Sequence, residues 1–353
     1  MKGKQILIIG QGIAGTCSAW EAERLGMDFT IVDKGSHNSA SAVSSGIMNP
    51  ITGRKFVKSW MSDDFMKTGC EIYEAMSQKY GQQLIHATPM IRHLASIEIE
   101  NIWDSKSIQE GYSEHMQHGP AKEELKEILN GLQSLGTVVS SRRVDVANLL
   151  HFNRMRWLAE GRLTDSIFIE EELEIGKNEI VYNDKAYDAL ILATGWKGAN
   201  GKLFETDSYR PAKGEVLLVR IPKMPSEYII KYNKFIVPQG GDMFWIGTTW
   251  QWEFEDAKSE SLKSLELEIF LNDLLKLEYE IVSRKAGVRP ATKYRKPLIG
   301  SHPDHPTIFL LNGLGTKGVT MAPYWARKIT EHISSSQLGE DIYFTDAYKS
   351  AFK

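Results

Sequence analysis

Gln5-Ile6-Leu7-Ile8-Ile9-Gly10-Gln11-Gly12-Ile13-Ala14-Gly15 is the stretch that decides the fold. A largely apolar run enters three glycines spaced G-x-G-x-x-G, and the next apolar run, Phe29-Thr30-Ile31-Val32, ends on Asp33 and Lys34. Strand, glycine turn, helix and acid in that order suit a dinucleotide's diphosphate and ribose. Gly10 permits the tight turn, Gly12 lets backbone N–H groups approach the diphosphate, and Gly15 lets the helix pack closely on its strand. The helix beginning at Ile13 and Ala14 turns its N-terminus toward the phosphate charge. Asp33 accepts hydrogen bonds from ribose hydroxyls. By itself the motif fits NAD and FAD equally.

Further along, three segments suit backbone passing close to a ligand. The first runs from Gly35 to Gly46, rich in small and hydroxylated residues that include Ser41, Ala42 and Ser45, and continues into Ile47-Met48. Composition alone also describes a surface loop; the alternative is a loop wrapping the cofactor with hydroxyls and bare N–H groups. The second is Ala193-Thr194-Gly195-Trp196, at the end of the apolar strand Ala189-Leu190-Ile191-Leu192. The third is Asn312-Gly313-Leu314-Gly315-Thr316-Lys317-Gly318-Val319-Thr320, a glycine turn that follows a strand over 307–311 and opens a helix. Its free N–H groups and dipole stabilise negative charge.

Apolar spacing predicts helices over 63–80, 123–135, 147–160 and 258–276, the third led in by Arg143-Val144-Asp145-Val146. Met90 to Leu94, Ser166 to Ile169 and Glu179 to Tyr182 read as strands. Gly214 to Val219, Lys234 to Pro238 and Met243 to Thr249 follow without intervening helices, which predicts a separate antiparallel sheet. His86, His93, His115 and His118 lack ligand spacing and accompanying cysteines, so no metal is expected.

Length and composition set bounds on these readings. The 353 residues suffice for two cores, 42% hydrophobic and 25% charged content is ordinary for a globular protein, and a net charge of -3 gives no reason to propose nucleic-acid binding. Two cysteines are too few for a disulfide framework, which fits a reducing compartment. No run of 18 apolar residues occurs and the chain enters its first strand directly, so the expectation is a cytoplasmic, non-membrane protein with a small-molecule partner.

Together these blocks resemble the FAD-dependent D-amino-acid oxidase superfamily, within it the glycine oxidase branch, over nearly the whole chain. The matching parts are Gly10 to Gly15 with Asp33, the Ser41-to-Met48 loop, Ala193-Thr194-Gly195, Lys213-Gly214-Glu215, Phe235 to Pro238, Ala286 to Thr292 with Lys296 to Gly300, and Gly313 to Gly318. The resemblance implies FAD as cofactor and an α/β chain: a Rossmann-like FAD-binding domain plus a second α+β substrate domain with a mainly antiparallel sheet. Residues 1–82, 140–206 and 288–353 would form the first, 83–139 and 207–287 the second. It implies cofactor contacts from the three segments above and from Val144, with Arg289 near the ring.

Arg289, in Gly287-Val288-Arg289-Pro290, matches the family's substrate arginine, whose guanidinium fork holds a carboxylate. Phe235 stands where glycine oxidases carry an active-site tyrosine, and Trp250 replaces a smaller apolar residue, reducing or reshaping the cavity. Arg54 lies just beyond the cofactor-loop candidate; it reaches the site or belongs to a surface charge run. The Gly313-to-Pro323 turn resembles the oxidase domain of the bifunctional tRNA 5-methylaminomethyl-2-thiouridine biosynthesis enzyme. The implied reaction is oxidation of the C–N bond of a small amino acid or N-substituted glycine, with a modified tRNA base left open as substrate. Two alternatives stand beside it: a dehydrogenase of the same fold using a non-oxygen acceptor, and a non-enzymatic FAD-binding or RNA-associated protein blocked at Trp250. Oligomeric state is not legible.

Overall fold

The structure is a computed structural model and describes residues 3–35, 38–119, 123–132, 134–176, 179–335 and 344–352. The opening run forms the strand Gln5–Ile9, buried from Ile6 to Ile9 and paired in parallel with Asp28–Val32 on one side and Ala189–Leu192 on the other. A strand flanked on both edges and covered on both faces has no solvent side, hence its unbroken apolar character. The six-stranded sheet runs Leu163–Thr164, Asp28–Val32, Gln5–Ile9, Ala189–Leu192, Ile308–Asn312, Leu298–Ser301, with only the last pair antiparallel.

Alternation then divides its core into two layers. Ile6 and Ile8 face a cluster with Trp157 and Trp325, built on the helices Ile13–Arg24, Ser62–Tyr80, Val146–Ala159 and Gly318–Ser334. Leu7 and Ile9 face a second cluster with Tyr182 and Tyr348, carried by the antiparallel meander Glu174–Ile175, Ile180–Tyr182, Lys185–Tyr187 and the helix Asp346–Phe352.

An eight-stranded sheet stands beside this layer, in the order Glu280–Arg289, Ala212–Arg220, Met243–Gly247, Phe235–Gly240, Ile229–Lys231, Met90–Leu94, Ser134–Val138, Met116–Gly119. All its pairs are antiparallel except Ile229–Lys231 with Met90–Leu94. Leu217, Val219, Phe244 and Ile246 pack on one face with Leu267 and Leu271 of the helix Ser261–Leu274.

Several expectations are corrected. The separate sheet expected from residues 214–249 also takes in three strands from residues 90–138, because parallel pairing across a long connection leaves no local signal. The helix expected over 123–135 is Glu123–Ile128, and Ser134–Val138 is a strand; residues 120–122 and 133 lie outside the described set. Ser166 to Ile169 joins no sheet and leads into a short 3₁₀ turn, Glu170–Glu172. The helix Ile97–Ser107 was not anticipated, although Ser96 accepts a hydrogen bond from Ile99 N–H at 3.3 Å and two acids, Glu98 and Glu100, occupy its first turn.

Candidate active site

Between the parallel sheet and the eight-stranded sheet lies a cavity of about 910 Å³. One end is lined by the first glycine turn. Gly10 has φ +98°, and a Cβ there would stand 2.6 Å from the Ala193 carbonyl oxygen. At Gly15 a Cβ would stand 1.8 Å from the Gly10 carbonyl oxygen, so helix and strand meet there backbone to backbone. Gly10 N–H donates to Val32 O, Gln11 N–H to Asp33 Oδ2 at 2.8 Å, and Ile13 N–H to Ser41 Oγ at 3.0 Å. The N–H groups of Gly12 and Ala14 have no acceptor among the described residues and line the cavity at a helix N-terminus. This is a cradle for a diphosphate.

Asp33 is set more deeply in a network than its motif implies. It accepts from Gly35 N–H and from Arg154 Nη1 at 3.1 Å, and Arg154 also meets Asp165. Arg154, from the helix Val146–Ala159, had no sequence signal tying it to this corner.

Of the other residues expected at the cofactor, Lys34, Ser45, Gly46, Ala193, Thr194, Gly195, Trp196, Gly315, Thr316, Lys317, Gly318, Val319 and Thr320 line the cavity. Gly15, Ala42, Met48, Val144 and Gly313 stand behind its wall. Val144 N–H donates to Gly46 O at 2.9 Å, and Gly46, at φ +76°, leaves no room for a Cβ against the Val144 carbonyl. Met48 is fully buried against Gly69. In the C-terminal turn Gly315 N–H and Lys317 N–H donate internally, to Pro290 O and Leu314 O. The outward donors are therefore Thr316, Gly318 and Val319, not the whole run. Burial pulls the Lys317 ammonium below its ordinary range, and its Nζ donates to Ser59 Oγ at 2.6 Å. Arg54 is exposed on the turn between Ile51–Thr52 and Val57–Lys58 and does not line the cavity.

At the opposite end the wall is the open face of the eight-stranded sheet. Gly214, Val216, Phe235, Trp245, Gly247, Gly287 and Arg289 share that face. Lys213 and Glu215 alternate to the other side, where both are buried and Lys213 Nζ reaches Glu260 at 2.6 Å. Trp245 Nε1 donates to Val43 O at 2.9 Å, tying the 38–46 loop to the sheet.

Arg289 Nη2 donates to Thr248 Oγ1 at 2.7 Å, whose hydroxyl donates in turn to Glu215 O at 3.0 Å. Nη1 has only long contacts, 3.4 and 3.5 Å, to the Ala212 and Lys213 carbonyls. The Trp250 ring lies 4.3 Å from the guanidinium carbon, so Trp250 covers one face of the cation. Among the described residues no carboxylate comes within ion-pair distance of Arg289, and burial lowers its pKa to about 10. A desolvated cation with spare donors and no counter-ion is a site for an anion.

A model of the FAD-dependent oxidoreductases, DAO, matches residues 5–332. The chain belongs to that FAD-dependent oxidoreductase family. Its cofactor is FAD, and the glycine cradle and unsatisfied N–H groups fit the group's diphosphate. Among curated relatives, the bifunctional tRNA 5-methylaminomethyl-2-thiouridine biosynthesis protein of Idiomarina loihiensis is 20% identical over 92% of this chain and 55% of its own length. Glycine oxidase of Geobacillus kaustophilus is 24% identical over 44% of this chain and 43% of its own. The chain thus spans about half the length of the curated relatives it matches. Among solved structures, glycine oxidase from Geobacillus kaustophilus aligns with a TM-score of 0.81 at 17% identity, covering 98% of both chains. Iminodiacetate oxidase from Chelativorans sp. BNC1 aligns at 0.77 and 18%, again over 98% of both. These likenesses give this DAO-family chain its fold. No helix among the described residues is long and apolar enough to cross a membrane.

Proposed function

We propose that this FAD-dependent oxidoreductase oxidises the C–N bond of a small amino acid or an N-substituted glycine. The observation that carries the reading is Arg289, a half-buried guanidinium without an acid partner among the described residues, on the wall facing the glycine turns. FAD, when bound, supplies the hydride acceptor, and the resulting imine is hydrolysed by water. The chain's own residues bind and orient. Arg289 takes the substrate carboxylate on the donors that its short bond to Thr248 leaves over, Nε above all, while the Thr248 hydroxyl holds Nη2 and so fixes the fork. Trp250 shields the ion pair from water, which strengthens it. Phe235 offers an apolar wall and no hydroxyl, so amine placement rests on the carboxylate and on cavity shape. The N–H groups of Thr316, Gly318 and Val319, with Lys317, set positive potential on the facing wall. In this reading residues 1–82, 140–206 and 288–353 bind the cofactor and the two remaining segments carry the substrate.

The test is anaerobic addition of amino acids, N-methyl and N-carboxymethyl amines to the holoenzyme. Loss of flavin absorbance with at least one carboxylate-bearing amine is expected, and its half-saturation rises strongly in Arg289→Ala. A flavin that none of them bleaches, or saturation unchanged in Arg289→Ala, overturns the reading. Reoxidation in air against reoxidation by an added quinone then separates oxidase from dehydrogenase.

A further inference from the structure

Lys231 is a second cation on the substrate wall that the reading above does not use. It ends the strand Ile229–Lys231, lines the cavity, and places its Nζ 4.0 Å above the Phe235 ring while donating to Asn233 O at 2.7 Å. Register puts it on the cavity face: Lys231 pairs with Phe235, Phe235 with Gly247, and Gly247 with Val216.

The surroundings of Lys231 are cationic. Its other neighbour in register is Arg92, whose Nη2 donates to Gly53 O at 3.1 Å and whose guanidinium lies 4.9 Å from the Phe56 ring. Neither Lys231 nor Arg92 has a carboxylate within ion-pair distance among the described residues. Lys234, close by, is held by Glu266 and by Thr248 O. The acids that line the cavity are all engaged elsewhere: Asp33 by Arg154, Glu170 by the N–H of Leu203, Glu171 by Lys202. Burial, reinforced by the charges of Arg92 and Lys234, brings Lys231 down to about 7, as expected of a cation lacking a counter-ion.

Two cations therefore bracket the stretch of wall formed by Phe235, Gly247 and Thr248. The Arg289 guanidinium is anchored at Thr248, next to the end of the strand Met243–Gly247, and the backbone of Gly247 stands two ladder steps, roughly 10 Å, from that of Lys231 across the sheet. A secondary amine with a carboxymethyl group on each side has carboxylate carbons about 5 Å apart by bond lengths. With about 2.8 Å of charge-assisted hydrogen bond at each end, the reach of such an amine is of the order of that backbone spacing.

We infer that the substrate is an N-substituted glycine whose N-substituent is itself anionic, with Arg289 binding the glycine carboxylate and Lys231 the second anionic group. This rests on the oxidase reading above and narrows its substrate class. Lys231 acts as a specificity-determining residue, and Arg92 raises the potential behind it.

The experiment uses the FAD-loaded enzyme with iminodiacetate as the dianionic probe and N-methylglycine as its monoanionic counterpart, followed by anaerobic flavin bleaching. Iminodiacetate is expected to half-saturate at a concentration at least tenfold lower than N-methylglycine. Lys231→Met is expected to abolish that preference while leaving N-methylglycine unchanged, and Lys231→Arg to restore most of it. Equal saturation by the two amines, or a Lys231→Met effect equal on both, overturns the second subsite and leaves the oxidase reading standing. If neither amine bleaches the flavin, the wider amine panel decides the oxidase reading, and the flavin absorbance shift on titration with glutarate against acetate decides the subsite. A shift that favours glutarate and vanishes in Lys231→Met supports it; no such difference overturns it.

Discussion

Replacing Gly214 by alanine should disable substrate orientation without unfolding the protein. A Cβ at Gly214 would stand 2.1 Å from Arg289 Nη2 and 2.6 Å from Thr248 Oγ1. Ordinary contact begins at 3.4 Å, so the guanidinium must retreat by about 1.3 Å, the difference between 3.4 and 2.1 Å. The atoms in the way are the ends of the Arg289 and Thr248 side chains, so the strain relaxes by moving that hydrogen-bonded pair and not by moving the sheet. Misplacing an orienting group by about 1 Å costs on the order of 100-fold in rate, or about 2.7 kcal/mol of transition-state stabilisation. Stopped-flow flavin reduction by a carboxylate-bearing amine should therefore show kcat/KM down about 100-fold. Flavin content and thermal midpoint should stay close to those of the unaltered protein. In an Arg289→Met background the Gly214→Ala substitution should have almost no further effect, since the two act through one group. An unchanged reduction rate refutes the argument that Gly214 is the seat of the guanidinium. So does a loss of activity that is matched by loss of flavin, because the glycine would then be packing the sheet.

Three further outcomes are expected. Gly15→Ala meets a carbonyl oxygen of the backbone at 1.8 Å, which cannot step aside; overpacking of this kind costs about 1–3 kcal/mol, and the purified variant should show a lowered ratio of flavin to protein absorbance and a lower thermal midpoint. Trp245→Phe removes the Nε1 hydrogen bond to Val43 O, a net loss of about 1 kcal/mol, so the FAD dissociation constant should rise about fivefold, measured by fluorescence titration; an unchanged constant means that the loop does not depend on this tie. The preference for iminodiacetate over N-methylglycine, taken as a ratio of kcat/KM, should fall as pH rises through about 7. Lys231 is charged below that value and neutral above it, while Arg92 beside it, which burial brings down only to about 10, keeps its charge. A ratio that is flat with pH removes Lys231 from the second subsite.

Much of the cofactor half was legible in the sequence because its constraints are local. A turn with φ +98° at Gly10, a helix start three residues later, and an acid at the end of the next strand each depend on residues close in the chain. Arg289 was legible through resemblance; its lack of a counter-ion among the described residues was not, since that is a property of everything around it. Val144, Met48 and Gly313 were expected at the cofactor and do not themselves line the cavity, because a motif residue that shapes a wall and one that forms its surface read alike in sequence.

The sequence by itself determined that the chain binds a dinucleotide, which glycine turns offer N–H groups to it, and, by resemblance, which arginine to expect on the cavity wall. Only the tertiary structure decided what shares the wall with that arginine. Lys231 reaches the cavity through the pairing of Ile229–Lys231 with Phe235–Gly240 and, in parallel, with Met90–Leu94, strands brought together across more than a hundred residues of chain. Trp250, expected to reduce or reshape the cavity, lines it and lies over the guanidinium. Charge in a cavity is a sum over neighbours in space, and the sheet register that chooses those neighbours is set by burial of whole faces, which no short stretch of sequence contains.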